Sequence, residues 1–189
     1  MDRSNHYEAA FEAFLRDRRV GFVPVDEARR TLLGDADVKS LDFIVVDSAR
    51  LVVDVKGRRF PGGPAGNPRK VWQNWAAEED VDGLARWAAH FGPDFRGVLA
   101  FVYHIEPPFR LPADTPDLFE YRDRAYLMRA VAADDYRAAM RPRSRRWGTV
   151  HLPTAAYRRL VRPFSEFLRE RTTVPQRTPR EETQRMEQG

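Results

Sequence analysis

The sequence predicts an α/β fold on three observations. An amphipathic helical stretch opens the chain, two apolar β-prone runs follow a few residues apart, and a second helical stretch leads into another buried strand. In order these give α-β-β-β-α-β over residues 1–105, followed by an α+β extension over residues 106–171 and a polar tail over residues 172–189.

Residues 4–19 read as the first helix, because Tyr7, Phe11, Phe14 and Leu15 recur on one helical face and Ser4 or Asn5 can cap its start. The segment from Gly21 through Phe22, Val23, Pro24 and Val25 is β-prone, and Pro24 confines it to an edge strand. A polar connection over residues 26–39 leads to Leu41-Asp42-Phe43-Ile44-Val45-Val46. After the turn residues Asp47-Ser48 comes Leu51-Val52-Val53-Asp54-Val55-Lys56, and the two apolar runs read as an antiparallel hairpin whose second strand is central.

Residues 57–70 hold Gly57, Pro61-Gly62-Gly63-Pro64, Gly66 and Pro68, too many breakers for regular structure, so a basic loop is expected there. Residues 71–91 read as the second helix, with Trp72, Trp75 and Trp87 on its buried side and Gly92-Pro93 as its stop. Residues 97–103 form the next buried strand. Beyond a proline-rich link, Phe119-Glu120-Tyr121 and residues 125–131 read as a hairpin, residues 149–152 as a short strand and residues 154–171 as a helix. The tail has no periodicity, and disorder is expected of it.

A chain of 189 residues that is 42% hydrophobic and 32% charged is long enough for a real core and polar enough to be globular. It has no cysteine, which excludes disulfides, thiolate metal sites and cysteine nucleophiles. Any metal would therefore be a hard cation on oxygen ligands. No apolar run reaches the roughly 18 residues of a membrane helix, and the start lacks a secretion pattern, so the expected address is the cytoplasm. The formal charge of +4 conceals basic clusters at Arg58-Arg59, Arg69-Lys70 and residues 141–146, which suit a phosphate backbone.

Alternation along a strand places Leu51, Val53 and Val55 on one face and Val52, Asp54 and Lys56 on the other. Charges on a buried strand cost several kcal/mol unless they are paired or bind a ligand. A structural Asp54–Lys56 ion pair would meet that need. Asp42 adds a second carboxylate, because the partner strand of the hairpin brings it beside Asp54. Two adjacent carboxylates repel, and a divalent cation such as Mg²⁺ or Mn²⁺ would neutralise them. A neighbouring lysine could then stabilise charge on a phosphate or activate water.

This arrangement resembles the PD-(D/E)XK nuclease superfamily, which includes restriction enzymes and Holliday-junction resolvases. Its pattern is an acid on the first helix, an Asp opening the second strand, then Asp or Glu, any residue, and Lys on the third. The matching residues are Glu8, Asp42, Asp54 and Lys56, with Leu41 standing where the family usually has proline. The resemblance covers about residues 5–105. It implies a restriction-endonuclease-like core with a mixed sheet flanked by helices, Mg²⁺ or Mn²⁺ on Asp42, Asp54 and Glu8, and Lys56 as a catalytic residue. It also implies DNA as partner and endonuclease activity, in a homodimer as in many relatives.

On the first helix Glu8 sits at the border of the buried face and Glu12 further into solvent, which favours Glu8 as ligand. The block His6-Tyr7-Glu8-Ala9-Ala10-Phe11-Glu12 also looks like the signature of the HYExAFE family, a name that conveys no activity. Gln73 lies where many of these nucleases place a residue that contacts the site, or is a solvated helix-start glutamine. Arg58 and Arg59 could hold a phosphate, or be solvated loop arginines. His6 reads as an exposed side chain more than as a base. Trp147 lies among arginines and resists assignment to the core. A catalytically silent nuclease-like module, binding nucleic acid or a protein partner, is the competing reading.

Overall fold

A computed structural model describes residues 5–25, 41–47, 49–62 and 71–170. Helix α1 (His6–Asp17) begins where the Asn5 side chain accepts a hydrogen bond from the Tyr7 amide, at 3.1 Å. Its apolar face buries Ala10, Phe11, Phe14 and Leu15 completely, and each Phe or Leu so buried contributes roughly 1.5–3 kcal/mol. Strand β1 (Phe22–Pro24) pairs antiparallel with β2 (Phe43–Val46), which pairs antiparallel with β3 (Arg50–Arg59). The edge position of β1 suits a strand containing Pro24.

The chain then passes through β4 (Ala76–Ala77) and α2 (Glu78–Phe91) into β5 (Arg96–Ile105), which lies parallel to β3. Parallel neighbours need a crossover, and α2 supplies it, packing on both strands. Strands β6 (Leu118–Tyr121) and β7 (Arg124–Ala132) form a hairpin closed by Arg122 and Asp123, both at positive φ, as a two-residue hairpin turn requires. β7 pairs antiparallel with β5 over Val98 to Ile105, so residues after 105 extend the same sheet. The order β1-β2-β3-β5-β7-β10 includes the short β10 (Arg162–Pro163), and β6 pairs with the far part of β7. A second sheet, β4-β9-β8, is built from β8 (Arg141–Ser144) and β9 (Thr149–His151).

The fold is thus a mixed sheet flanked by helices, as the order of elements predicts. One face carries Leu51, Val53 and Val55 under α1 with Phe164 and Phe167 of α5 (Phe164–Arg169). The other carries Val52, Leu99 and Phe101 with Val81 and Leu84 of α2, Tyr136 of α3 (Ala133–Ala139) and Tyr157 of α4 (Thr154–Leu160).

Three expectations are corrected. The second helix starts at Glu78 and not at residue 71. The Gln73 and Asn74 carbonyls are taken by the hydroxyls of Tyr103, at 2.9 Å, and Tyr136, at 2.8 Å, so no helical amide is needed for them. The Asn74 side chain bonds both the amide and the carbonyl of Leu152 at 3.1 Å, which ties residues 71–75 down outside any helix. Gly57, Arg58 and Arg59 belong to β3 and not to a loop, because β5 pairs with them as far as His104. The helix expected over residues 154–171 is broken between α4 and α5, where Pro163 lacks the amide a helix interior needs and β10 joins β7 instead. Residues 26–40 and 63–70 and the tail after residue 170, for which a connection, a loop and disorder are expected, lie outside the described residues.

Gly57 is the tightest point of the sheet, since a Cβ there would stand 2.3 Å from Cδ2 of Tyr7 on α1. Gly57→Ala should lower the free energy of unfolding by roughly 1–3 kcal/mol, the cost of overpacking. Urea unfolding of Gly57→Ala, Tyr7→Ala and the double variant should show that most of this cost disappears once the ring is removed.

Candidate active site

Strand β3 carries the charges predicted for it. Val52, Asp54 and Lys56 share the face that packs toward α2, and Asp54 is only 3% exposed. Lys56 Nζ lies 2.7 Å from Asp54 Oδ2, in a buried ion pair. The same ammonium donates to Asp80 Oδ2, on the first turn of α2, at 2.6 Å.

Asp42 enters from the partner strand. Its amide donates to the Val53 carbonyl and its carbonyl accepts from the Val25 amide, both at 2.9 Å, which extends the ladder one residue beyond β2. Its Oδ2 accepts from the Val55 amide at 2.7 Å. Asp42 thereby stands opposite Asp54, with the two carboxyl groups within hydrogen-bonding reach of each other.

Burial pushes the Asp54 carboxyl up to about 7; the charges of Asp42 and Asp80 add to this and Lys56 opposes it. Asp42 is raised as well, first by burial and then by the charge of Glu8, against the Val55 hydrogen bond. Burial works against the charge on Lys56, but Asp54 and Asp80 outweigh it and hold the ammonium protonated beyond its ordinary range. Both aspartates are thus raised, and facing each other they behave as one titrating unit.

Glu8 sits on α1, across the sheet from Asp80, and accepts from Asn5 Nδ2 at 2.7 Å. Its field reaches Asp42, yet among the described residues no group of three or more carboxylates or histidines converges to metal-holding distance. The structure brings Asp42, Asp54 and Lys56 together and leaves Glu8 at the margin. Asp80 is the residue that sequence reasoning missed. Its signal was the acidic run Glu78-Glu79-Asp80, which marks a helix N-terminus, but a helix placed from residue 71 put that run in mid-helix.

Of the other predicted residues, Arg58 lies further along the same face. Arg58, only 8% exposed, donates to the carbonyls of Trp75 and Gly57 and stacks 3.9 Å over the Trp75 ring. It is committed to the fold, whereas Arg59 is exposed at the end of β3. Gln73 is exposed on the segment before β4 and not on a helix. Trp72 and Trp87 pack against the core as expected, while Trp75 carries guanidinium groups over its ring. His6 is not a free surface side chain: its Nδ1 lies 2.9 Å from the Tyr126 hydroxyl, and burial lowers its pKa.

Because Asp54 binds its proton more tightly when folded, its burial costs nothing below about pH 4 and a growing amount as pH rises to about 7, where the cost levels off. Wild-type protein should lose roughly 2–4 kcal/mol of unfolding free energy across that window relative to Asp54→Asn. Urea midpoints of the two proteins at pH 5 and pH 8, without divalent cation, check this; parallel curves would mean that Asp54 is already ionised at pH 5.

No family model matches the chain, so the likeness of its opening block to the HYExAFE family is without support, and no curated protein matches it. Among the described residues no helix is long and apolar enough to cross a membrane. A solved structure of Hjc from Archaeoglobus fulgidus, a Holliday junction resolvase from an archaeal hyperthermophile, aligns over 85% of this chain and 96% of its own. The TM-score is 0.49 and the identity 13%. This similarity concerns the course of the backbone, and the site stands on its own geometry.

Proposed function

We propose that the protein is a metal-dependent nuclease that hydrolyses phosphodiester bonds in DNA. One observation carries this reading. Asp54 is buried opposite Asp42 with its Oδ2 2.7 Å from the Lys56 ammonium, and its carboxyl is pushed to about 7. A carboxylate so placed is poised to exchange its proton for a cation.

The donor set suits Mg²⁺ or Mn²⁺, since Mg²⁺ takes one or two carboxylates and completes its shell with water and phosphate oxygens. Asp42 and Asp54 would hold the ion, and Glu8 would act through water. When bound, such an ion polarises the phosphate and lowers the pKa of an attacking water. Lys56 then directs its ammonium to the charge that develops on the phosphate, where a fixed donor is most effective. Asp80 is a positioning residue, keeping Lys56 on this face when Asp54 turns to the cation. Hydrogen bonding to the Val55 amide fixes one oxygen of Asp42 and so orients the other. A homodimer, with one such site for each DNA strand, completes the proposal.

The silent-module reading is favoured by the engagement of Lys56 with both Asp54 and Asp80, which would also serve as a structural ion pair. Purified protein incubated with duplex, single-stranded and branched DNA separates the two. With Mg²⁺ or Mn²⁺ it should cut at least one of them, and Asp54→Asn and Lys56→Ala should each slow cutting on the order of 10²- to 10³-fold. Calorimetric titration with Mn²⁺ should show a site that Asp42→Asn abolishes. Equal cutting by Asp54→Asn would sink the nuclease reading, and a flat Mn²⁺ titration with DNA binding intact would establish the silent module.

A further inference from the structure

A run of arginines outside the acid and lysine cluster lies on one small structure. β8 reads Arg141-Pro142-Arg143-Ser144, and the turn joining it to β9 reads Arg145-Arg146-Trp147-Gly148, with Gly148 at a φ of +53°. Arg141, Arg143, Arg145 and Arg146 all face solvent, and Trp147 is 72% exposed. Among the described residues no carboxylate pairs with these four arginines, and the segment itself contains none. Arg146 lies 5.3 Å over the Trp147 ring. Exposed guanidiniums around an exposed indole match a polyanion whose bases are free to stack.

Its placement ties the hairpin to the cluster. β9 pairs with β4, and the Gly148 carbonyl accepts from the Glu78 amide at 2.8 Å. The tip of the hairpin is thus anchored to the first turn of α2, two residues from Asp80, which holds Lys56. On the other side Arg143 lies 5.0 Å over Trp75, whose ring Arg58 also covers, and Arg58 projects from the same face of β3 as Lys56. Beside Arg143 opens a cavity of about 400 Å³ lined also by Trp72, Gln73, Trp75 and His151.

We propose that the β8–β9 hairpin is the DNA-docking surface of this protein. Arg141, Arg143, Arg145 and Arg146 take the phosphate backbone, and Trp147 stacks on an unpaired base. The inference rests on the DNA-cleaving reading and narrows its substrate to DNA with single-stranded bases beside a duplex. Bases inside a duplex are already stacked, so only an unpaired base offers Trp147 a face.

The full chain, in low salt with EDTA so that nothing is cut, is titrated against fluorescein-labelled single-stranded DNA, blunt duplex, duplex with a single-stranded overhang, and RNA of the same sequence. Trp147→Ala should weaken the single-stranded and overhang complexes on the order of tenfold and leave the blunt duplex within about twofold. Arg145→Ala combined with Arg146→Ala should weaken every complex and lower the slope of log affinity against log salt by about 1.5–2. Both variants alter exposed side chains and should melt with the wild type. Unchanged affinity in both hairpin variants, or tighter binding of RNA than of DNA, would overturn the proposal. If the hairpin variants bind normally while Asp54→Asn abolishes cutting, only the docking surface is wrong. If they bind weakly while Asp54→Asn cuts normally, only the cleavage reading is wrong.

Discussion

Everything in this structure answers to the burial of Asp54 on a strand that is covered on both faces. Taking a carboxylate out of water costs several kcal/mol unless the geometry around it compensates. Here the compensation comes from Lys56 on the same strand, while the charges of Asp42 on the antiparallel neighbour and of Asp80 work against it. This is not enough to return Asp54 to the ordinary range of a carboxyl, and it remains pushed to about 7. The same face is apolar at Val52, so the strand carries its charge only where Lys56 can pair it.

The ion pair also helps to fix where α2 begins. Asp80 reaches Lys56 only if the first turn of the helix lies over the end of the charged part of β3, so the chain before it must lie outside the helix. Two tyrosine hydroxyls and the Asn74 amide hold it that way. This explains which parts of the fold were legible in the sequence. α1, β2, β3 and β5 each satisfy most of their backbone hydrogen bonds within themselves or with a strand of the same sheet, and periodicity reports them faithfully. Residues 71–75 are satisfied by Tyr103, Tyr136 and Leu152 from distant parts of the chain, and Trp72 and Trp75 are spaced as they would be on a helix. A local pattern does not register partners of that kind. The break at Pro163 carried its own signal, but the apolar residues around it kept helical spacing and outweighed it.

The same distinction separates the site residues. Asp54 and Lys56 were legible because alternation along one strand places them on one face, and Asp42 because an antiparallel hairpin dictates its neighbour. Asp80 was not, since it meets Lys56 across the space between a helix and a sheet. Glu8 lies half-buried on α1, which packs on the other face of the sheet, and its charge raises Asp42. Arg58 was expected in a loop, and its burial follows from the extension of β3 along β5, which the glycines and prolines after it concealed.

With β3 running to Arg59, its α2-facing positions take on a graded chemistry. Val52 is apolar, Asp54 is a carboxyl held near neutrality, Lys56 is an ammonium, and Arg58 is a guanidinium stacked on Trp75. The sign of charge thus changes from acid to base along one strand over a few residues. Coulomb interactions at such separations are strong where the surroundings exclude water, so an anion approaching this face is repelled at the Asp54 end and drawn toward the Arg58 end. Arg143 continues the positive side through Trp75 onto the β8–β9 hairpin. Because Gly148 of that hairpin is bonded to the start of α2, the basic surface and the acid cluster are set in register by the same helix terminus. The buried carboxylate on β3 and the exposed arginines on β8 are therefore two ends of one electrostatic arrangement, held in place by α2.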